Sequence, residues 1–373
     1  MLPQPVPPLP PATTAPRRAG DLVVRRPEGL YCPAGDFYID PWRPVHRAVI
    51  THAHADHARA GHAHYLCAPD CAGVLQARLG PLPLQVVPYG EILDVQGVAV
   101  SLHPAGHVLG AAQVRLAHGG QVWVVSGDYK VAPDATCLPF EPVRCDCFIT
   151  ESTFGLPIYR WRPPAEVFDE VNAWWQHNAA AGLPTLLLGY SFGKAQRLLA
   201  GVDPSIGPIV VHAAVEAVNE AYRASGIALP ATRRFAELTD KRDWAGALVV
   251  APPSAARGRL SRHLQHARDG LASGWMQLRG ARRRAGVDRG FVLSDHADWP
   301  GLVQAIGATG AERVIVTHGQ EAVLVRWLQE QGLDASSMDT HYGDEAANEA
   351  DAPAHSDTSE GDEGSPDSTV KPA

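Results

Sequence analysis

The run Thr51-His52-Ala53-His54-Ala55-Asp56-His57 puts three imidazoles and a carboxylate within six residues, separated only by alanines. Imidazole nitrogens and carboxylate oxygens are the donors zinc accepts, at ~2.0–2.2 Å in a near-tetrahedral array. One tight loop after a strand can aim such donors in two directions, so the cluster suits a pair of ions. Histidines recur nearby at His46, His62 and His64, and the blander reading is a solvated His-rich loop. His-x-His-x-Asp-His at the end of a buried strand is far more specific than histidine richness. Four later positions share the placement: His107 after Gly106, Asp128 after Gly127, His296 within Ser294–Asp298, and His318 before Gly319. Each alone reads equally well as a capping acid or a satisfied core histidine. Together, each just after an apolar run, they read as one centre, in which the lone carboxylate of Asp128 can bridge two ions.

The elements that must position these residues follow from the apolar pattern. Ala48–Thr51 reads as a short buried strand feeding the first cluster. Val98–His103, Gln113–Leu116 and Val122–Ser126 read as strands, the last two joined through His118-Gly119-Gly120. Pro164–Ala181 predicts a helix: proline at its start, Val167, Val171, Trp174 and Trp175 at helical spacing, and Gly182 just past its end. Strand-helix units follow at Thr185–Gly189 with Lys194–Leu199 and at Ile209–His212 with Ala213–Ala224. Phe291–Ser294, a helix from Trp299, Val314–Thr317 and a helix from Glu321 continue the alternation. The fold class is α/β, with sheets covered by helices.

Composition sets bounds on the partner. Apolar residues make up 45% and charged residues 19% of the 373, as in ordinary globular proteins. The net charge of -8 is local: residues 344–373 hold nine acids and one base. Taking those from the totals of 40 acids and 32 bases leaves 31 of each in residues 1–343, so a polyanionic partner is not excluded. That acidic stretch and the Pro-rich residues 1–20 lack the apolar groups to offset ordering entropy, and both read as disordered tails. Six cysteines without paired CxxC spacing read as reduced thiols. No membrane-spanning run or leader pattern is present, which points to the cytoplasm and no membrane partner. Residues 251–290 carry nine arginines (Arg257, Arg259, Arg262, Arg268, Arg279, Arg282, Arg283, Arg284, Arg289) against Asp269 and Asp288. Such an excess suits a solvated helix face, but its position just before the His296 strand favours a groove that tracks phosphates, with Arg257, Arg259, Arg262, Arg279, Arg282, Arg283 and Arg284 as the nucleic-acid-binding residues. Trp275 and Trp299 have the flat rings that stack on unpaired bases, but read first as core.

The His52–His57 cluster, Gly106-His107 and Ser126-Gly127-Asp128 resemble the successive metal motifs of the metallo-β-lactamase superfamily. Asp40, in Phe37-Tyr38-Ile39-Asp40-Pro41, resembles the aspartate that braces the ligand loop. Thr150–Gly155, Ser294–Asp298 and Val316–Gly319 resemble the further motifs of β-CASP nucleases. Within these, Tyr31-Cys32-Pro33, Ser191–Arg197 and Ser294–Trp299 are similar to the bacterial ligase-associated DNA exonuclease group. The resemblance implies an αββα metallo-β-lactamase sandwich, residues 21–185 and 290–343, with a smaller α/β β-CASP domain inserted at 186–289. It implies that His52, His54 and His107 hold one ion, Asp56, His57 and His318 the other, and Asp128 both. Asp56 would also orient the attacking hydroxide, His296 would protonate the leaving oxygen, and Glu151 would partner His296. Two divalent ions, zinc with manganese as the alternative, would cut DNA from an end, in company with an ATP-dependent DNA ligase and a helicase.

Three rivals share part of this pattern. An RNA-processing enzyme of the same fold gains weight because many eukaryotic DNA-specific β-CASP nucleases lack the histidine kept here as His318. A small-molecule hydrolase of the thioesterase or lactamase kind shares the first cluster but has no use for Glu151, His296 or the arginines. A non-catalytic repair scaffold would not need a complete ligand set.

Overall fold

In the computed structural model, residues 18–343 are described, apart from residues 19, 239, 258–263 and 265. The two tails expected at 1–20 and 344–373 therefore lie outside the described residues, except at Arg18 and Gly20. Arg18 is docked: its backbone N–H donates to Asp21 and its guanidinium pairs with Asp334 at 2.8 Å.

Two mixed sheets pack face to face. The first runs β1 (Val24–Arg26), β2 (Gly29–Cys32), β3 (Phe37–Ile39), β4 (Arg47–Val49), β5 (His64–Cys67) and β6 (Leu84–Val86) in that spatial order. The second holds β7 (Leu93–Val95), β8 (Val98–Pro104), β9 (Ala112–His118), β10 (Gln121–Val125), β11 (Cys147–Ser152), β18 (Arg313–Gly319) and β19 (Asp334–Ser337), in the order β19-β18-β11-β10-β9-β8-β7. Leu30, Ile39 and Val49 of the first meet Val100, Val114, Trp123, Ile149 and Ile315 of the second in a dry interior. Strands buried on both faces read as continuous apolar runs, as Val122–Val125 and Val314–Val316 do.

The third sheet is built from β12 (Thr185–Leu188), β13 (Ile209–Val211), β14 (Arg233–Arg234), β15 (Leu248–Ala251), β16 (Arg268–Ala272) and β17 (Arg289–Phe291). Its order is β14-β13-β15-β12-β16-β17, every neighbouring pair parallel. Parallel pairing requires crossovers, and the helices supply them.

The α-helices among the described residues are α1 (Pro69–Leu79), α2 (Pro164–Ala180), α3 (Lys194–Gly201), α4 (Ala213–Ala224), α5 (Arg279–Ala285), α6 (Trp299–Thr309) and α7 (Glu321–Glu330). Cys71, Val74 and Leu75 of α1 cover the outer face of the first sheet, against Tyr65 and Cys67. Leu302, Ile306, Leu324 and Leu328 of α6 and α7 cover the second, against Phe148, Val314 and Val316. The result is a helix-sheet-sheet-helix stack of the kind expected. None of the helices is long and apolar enough to cross a membrane.

The apolar stripe of α2, Val167, Val171, Trp174 and Trp175, buries against Leu187, Val211 and Val250 of the third sheet. Sequence order carries no sign of which sheet such a stripe covers. One expectation needs correction: the strand expected at Phe291–Ser294 ends at Phe291. Beyond its pairing with Ala272 the chain leaves the sheet and carries Asp295 and His296 toward the other two layers.

Candidate metal centre

Strand ends deliver every donor. The chain leaves β4 with Ile50 still bonded to Leu66, then turns so that His57 and Ala58 both donate to the His54 carbonyl. Ala53 and Ala58 are buried in that turn and pack into the apolar core beneath it. Asp128 arrives after β10 through Gly127, whose φ is +57° and whose missing Cβ would stand 2.7 Å from the Thr51 side chain. Only glycine allows this close approach of the two ligand loops.

Asp128 sits between two sets of imidazoles. Its Oδ2 lies 3.5 Å from His52 Nε2 and 3.8 Å from His107 Nε2. Its Oδ1 lies 3.5 Å from His57 Nε2 and 3.3 Å from His318 Nε2. His54 Nδ1 closes the first set, 3.1 Å from both His52 Nε2 and His107 Nε2. The donor atoms of His52, His54, His107 and Asp128 all fall within 4.8 Å of one another, as do those of His57, Asp128 and His318. Asp56 Oδ2 stands 3.6 Å from His57 Nε2, at the edge of the second set.

Each inward imidazole is fixed by its other nitrogen. His57 Nδ1 meets the Asp40 carboxylate at 2.8 Å, and Asp40 also accepts from the Thr51 N–H at 2.7 Å and the Thr51 hydroxyl at 2.5 Å. Asp40 holds this position at φ +44°, a left-handed conformation that aspartate tolerates better than most residues. His107 Nδ1 bonds the Asp295 carbonyl at 2.8 Å, and His54 Nε2 the Phe192 carbonyl at 3.3 Å. His52 and His318 each meet the hydroxyl of the preceding threonine, Thr51 and Thr317, at 3.0 Å. Partners of this kind set the tautomer and ring direction that a metal needs.

The electrostatics divide the centre. Burial, and then the neighbouring His107, push the His54 imidazole down to about 3; burial and His296 do the same to His107. Burial also works against charge on His57, but Asp128, Asp56 and Asp40 outweigh it and raise that imidazole to about 10. Asp128 stays well below the usual carboxylate range despite burial, held there by His57 and His296. Asp128 Oδ1 and His57 Nε2 are buried with no hydrogen-bond partner among the described residues. Buried polar atoms without partners are costly. A nitrogen-rich donor set with ionised carboxylates and orphaned inward atoms fits divalent cations of the zinc type.

His296 lies beside this centre. Its Nδ1 is 3.0 and 2.9 Å from the two Glu151 oxygens, and Glu151 Oε1 accepts from the Tyr129 N–H at 2.8 Å. The imidazole stands 4.5 Å, ring to ring, from His107. Asp128, Glu151 and His296 also share a 4.8 Å cluster. Of the residues expected in the centre, His52, His54, His57, His107, Asp128, Glu151, His296 and His318 fall in clusters of this size, and Asp56 stands at their edge.

The arginines are not gathered in the same way. Arg279, Arg282, Arg283 and Arg284 lie exposed on α5. Arg282 lines a cavity of about 530 Å³ with Arg162, Arg289, Glu170 and Asp288, away from the histidines. Arg259, Arg262 and the Arg257 side chain lie outside the described residues. Trp299 is core, as expected, and Trp275 packs on Phe154 and Tyr159.

Sequence reasoning missed the outer supports. Lys194, fully buried, pairs with Asp295 at 3.0 Å, and Arg197 bridges Asp295 at 3.1 Å and Asp134 at 2.8 Å. Lys130 closes the network on Asp134 at 2.8 Å. The repeated Thr-His pair at 51–52 and 317–318 was a signal for the hydroxyl supports.

No protein-family model matches the chain. A protein of Opitutus terrae named probable DNA ligase is 32% identical over 315 residues, 84% of this chain and 30% of that protein. Cleavage and polyadenylation specificity factor 73 of Drosophila melanogaster is 31% identical over 122 residues, 32% of this chain and 18% of that protein. Endoribonuclease ysh1 of Aspergillus fumigatus is 29% identical over 131 residues, 34% of this chain and 15% of that protein. The chain thus spans less than a third of each relative. A solved protein of unknown function from Enterococcus faecalis shares the fold, with a TM-score of 0.51, 13% identity, and cover of 72% of this chain and 74% of that one. Centre and relatives bear out the resemblance read from the motifs: the chain is a homologue of β-CASP proteins of the metallo-β-lactamase superfamily.

Proposed function

We propose that the protein is a two-metal phosphodiesterase that degrades DNA from an end, in a cytoplasmic repair setting alongside a DNA ligase. The observation that carries the reading is Asp128, with one carboxylate oxygen toward each set of imidazoles. His52, His54 and His107 would hold one ion and Asp56, His57 and His318 the other. Zinc suits the imidazole-rich set, with manganese as the alternative. Such an ion pair lowers the pKa of water and neutralises charge building on a phosphate.

The chain's own residues supply the rest. Asp56, at the edge of the second set, accepts a hydrogen bond from the attacking water and turns its lone pair toward phosphorus. Glu151 engages His296 Nδ1, so Nε2 is the atom that holds a proton for the departing 3′ oxygen. The exposed arginines of α5 would attract the polyanion, a contribution sensitive to salt.

DNA is favoured over RNA by extent: the ligase-named relative aligns over 84% of this chain, against 34% for the endoribonuclease. The ligase partnership rests on that name and on the motif resemblance; a helicase rests on the resemblance alone. The RNA reading keeps its own support in the endoribonuclease likeness. The deciding test incubates purified protein with end-labelled DNA and matched RNA while metal content is measured. Mononucleotide release from DNA with two ions per chain is expected. Preferred cleavage of RNA overturns the substrate, and cleavage of neither with both ions bound overturns the nuclease reading.

A further inference from the structure

The last described residues reach back across the second set of imidazoles. Thr340 Oγ1 donates to the Thr317 carbonyl at 3.0 Å, and His341 stacks on Trp42 with ring centres 4.7 Å apart. The Tyr342 ring lies nearly parallel to His57, 15° off at 4.3 Å, and meets His318 edge-on at 5.6 Å. Its hydroxyl donates to the Asp40 carbonyl at 3.3 Å. The Gly343 N–H donates to Asp56 Oδ2 at 3.1 Å. Thr340, Tyr342 and Gly343 therefore touch Asp40, Asp56, His57 and His318 or their immediate supports, His341 anchors the segment on Trp42, and none of these contacts involves His52, His54 or His107.

We propose that Thr340–Gly343 is a strap that holds the second half-site in ion-binding geometry, with Tyr342 and Gly343 as its positioning residues. This rests on the two-ion reading of the centre. His57 is gripped on its edge by Asp40, which leaves rotation about that hydrogen bond open. The flat face of Tyr342 removes that freedom, and the same ring limits His318 from a second direction. Gly343 fixes one oxygen of Asp56 and so determines which one turns inward. The first half-site takes its supports from the Asp295 and Phe192 carbonyls and the Thr51 hydroxyl, of which only the last reaches Asp40, and the strap meets Asp40 at its backbone carbonyl rather than its carboxylate, so damage to the strap should spare this half.

The test is metal titration of the purified full chain with zinc, followed by isothermal calorimetry and elemental analysis. Outer supports of metal ligands typically contribute ~10–100-fold in affinity. Tyr342→Ala should weaken the second ion by that factor and leave the first unchanged, while Tyr342→Phe, which keeps the ring, stays near wild type. Ending the chain after Asp339 should give one ion per chain; ending it after Gly343 should give two. Circular dichroism checks that each variant is folded, and Tyr342→Leu, which keeps most of the buried volume, replaces Tyr342→Ala if that variant does not fold. Two tight ions in the chain ended after Asp339, or equal weakening of both ions in Tyr342→Ala, overturns the strap. Fewer than two ions in the wild type overturns the two-ion reading instead.

Discussion

The two halves of the centre share Asp128 but are held by different kinds of neighbour. The first half, His52, His54 and His107, leans on neutral groups: the Thr51 hydroxyl and the Phe192 and Asp295 carbonyls. Its imidazoles face one another, and burial, with His107 beside His54 and His296 beside His107, holds both well below the usual imidazole range. The second half, Asp56, His57 and His318, is ringed by carboxylates, and His57 is pulled up to about 10. A cation entering the first set would meet imidazoles already neutral, whereas one entering the second would have to displace a proton from His57. The comparison teaches that one fold can place a neutral set of imidazoles and a carboxylate-ringed one five residues apart.

The most damaging break is at the shared residue. Asp128→Ala removes an oxygen from both halves, so both ions should be lost or scrambled and turnover should fall to background. Elemental analysis of the folded variant reads this directly; two ions retained at wild-type affinity would mean that the halves do not share Asp128.

Next in size is a lesion that should touch neither half. His296→Ala is expected to keep both ions and nucleic-acid affinity, and to cost ~10²–10⁴-fold in rate, as loss of a general acid does. A diester with a far more acidic leaving group should recover part of that loss. His318→Ala, by contrast, should lower metal occupancy and gain nothing from the better leaving group. An ion lost from His296→Ala would move it from proton donor to ligand, consistent with its place in the Asp128–Glu151 cluster.

The third lesion loosens the first half from behind. Asp295 is buried between Lys194 and Arg197, and its backbone carbonyl seats His107. Removing one member of a buried ionic group strands its partners, at about 3–5 kcal/mol. Asp295→Asn should therefore lower the denaturation midpoint strongly and weaken the first ion, the mirror image of the strap variants. Burial opposes ionisation of Asp295, but Lys194 and Arg197 hold its carboxyl well below the usual range. A depressed folded-state pKa gives stability that is complete above the unfolded value of ~3.9 and is lost as pH falls through the folded one. The stability gap between wild type and Asp295→Asn should thus stay constant down to about pH 4 and close below it. A gap that instead narrows between pH 8 and 6 would assign the loss to a histidine.

The inward donors were legible in the sequence because each stands just past an apolar run, and strand ends converge on one mouth. Of their supports only Asp40 was, through the motif it resembles. Lys194 and Asp295 are 101 residues apart, and each alone reads as an ordinary surface charge. Tyr342 lies beside an acidic stretch that draws attention away from it. The Phe192 and Asp295 carbonyls leave no mark at all, since every residue has one. For the same reason the stripe of α2 announced a helix but not its sheet. Local pattern reports which face is buried; only the assembled layers report against what.

The smallest expected effect sharpens the comparison at its border. Residues 344–373 follow the strap directly and carry nine acids and one base, with scarcely any large apolar group. A segment of that charge would repel the polyanion that the α5 arginines are proposed to attract. Ending the chain after Gly343 should leave two ions, the denaturation midpoint and turnover on saturating substrate all near wild type. Affinity for DNA should rise a few-fold at most at low salt, because tethered carboxylates then compete with phosphates over an unscreened range. At 0.1 M salt charges are screened beyond ~10 Å, and the advantage should fade. Fluorescence anisotropy with a labelled oligonucleotide, run across a salt series, follows both limbs. An ion lost on this truncation would extend the second half-site past Gly343. A large drop in turnover with both ions bound would give the acidic stretch a part in the reaction that its charge argues against.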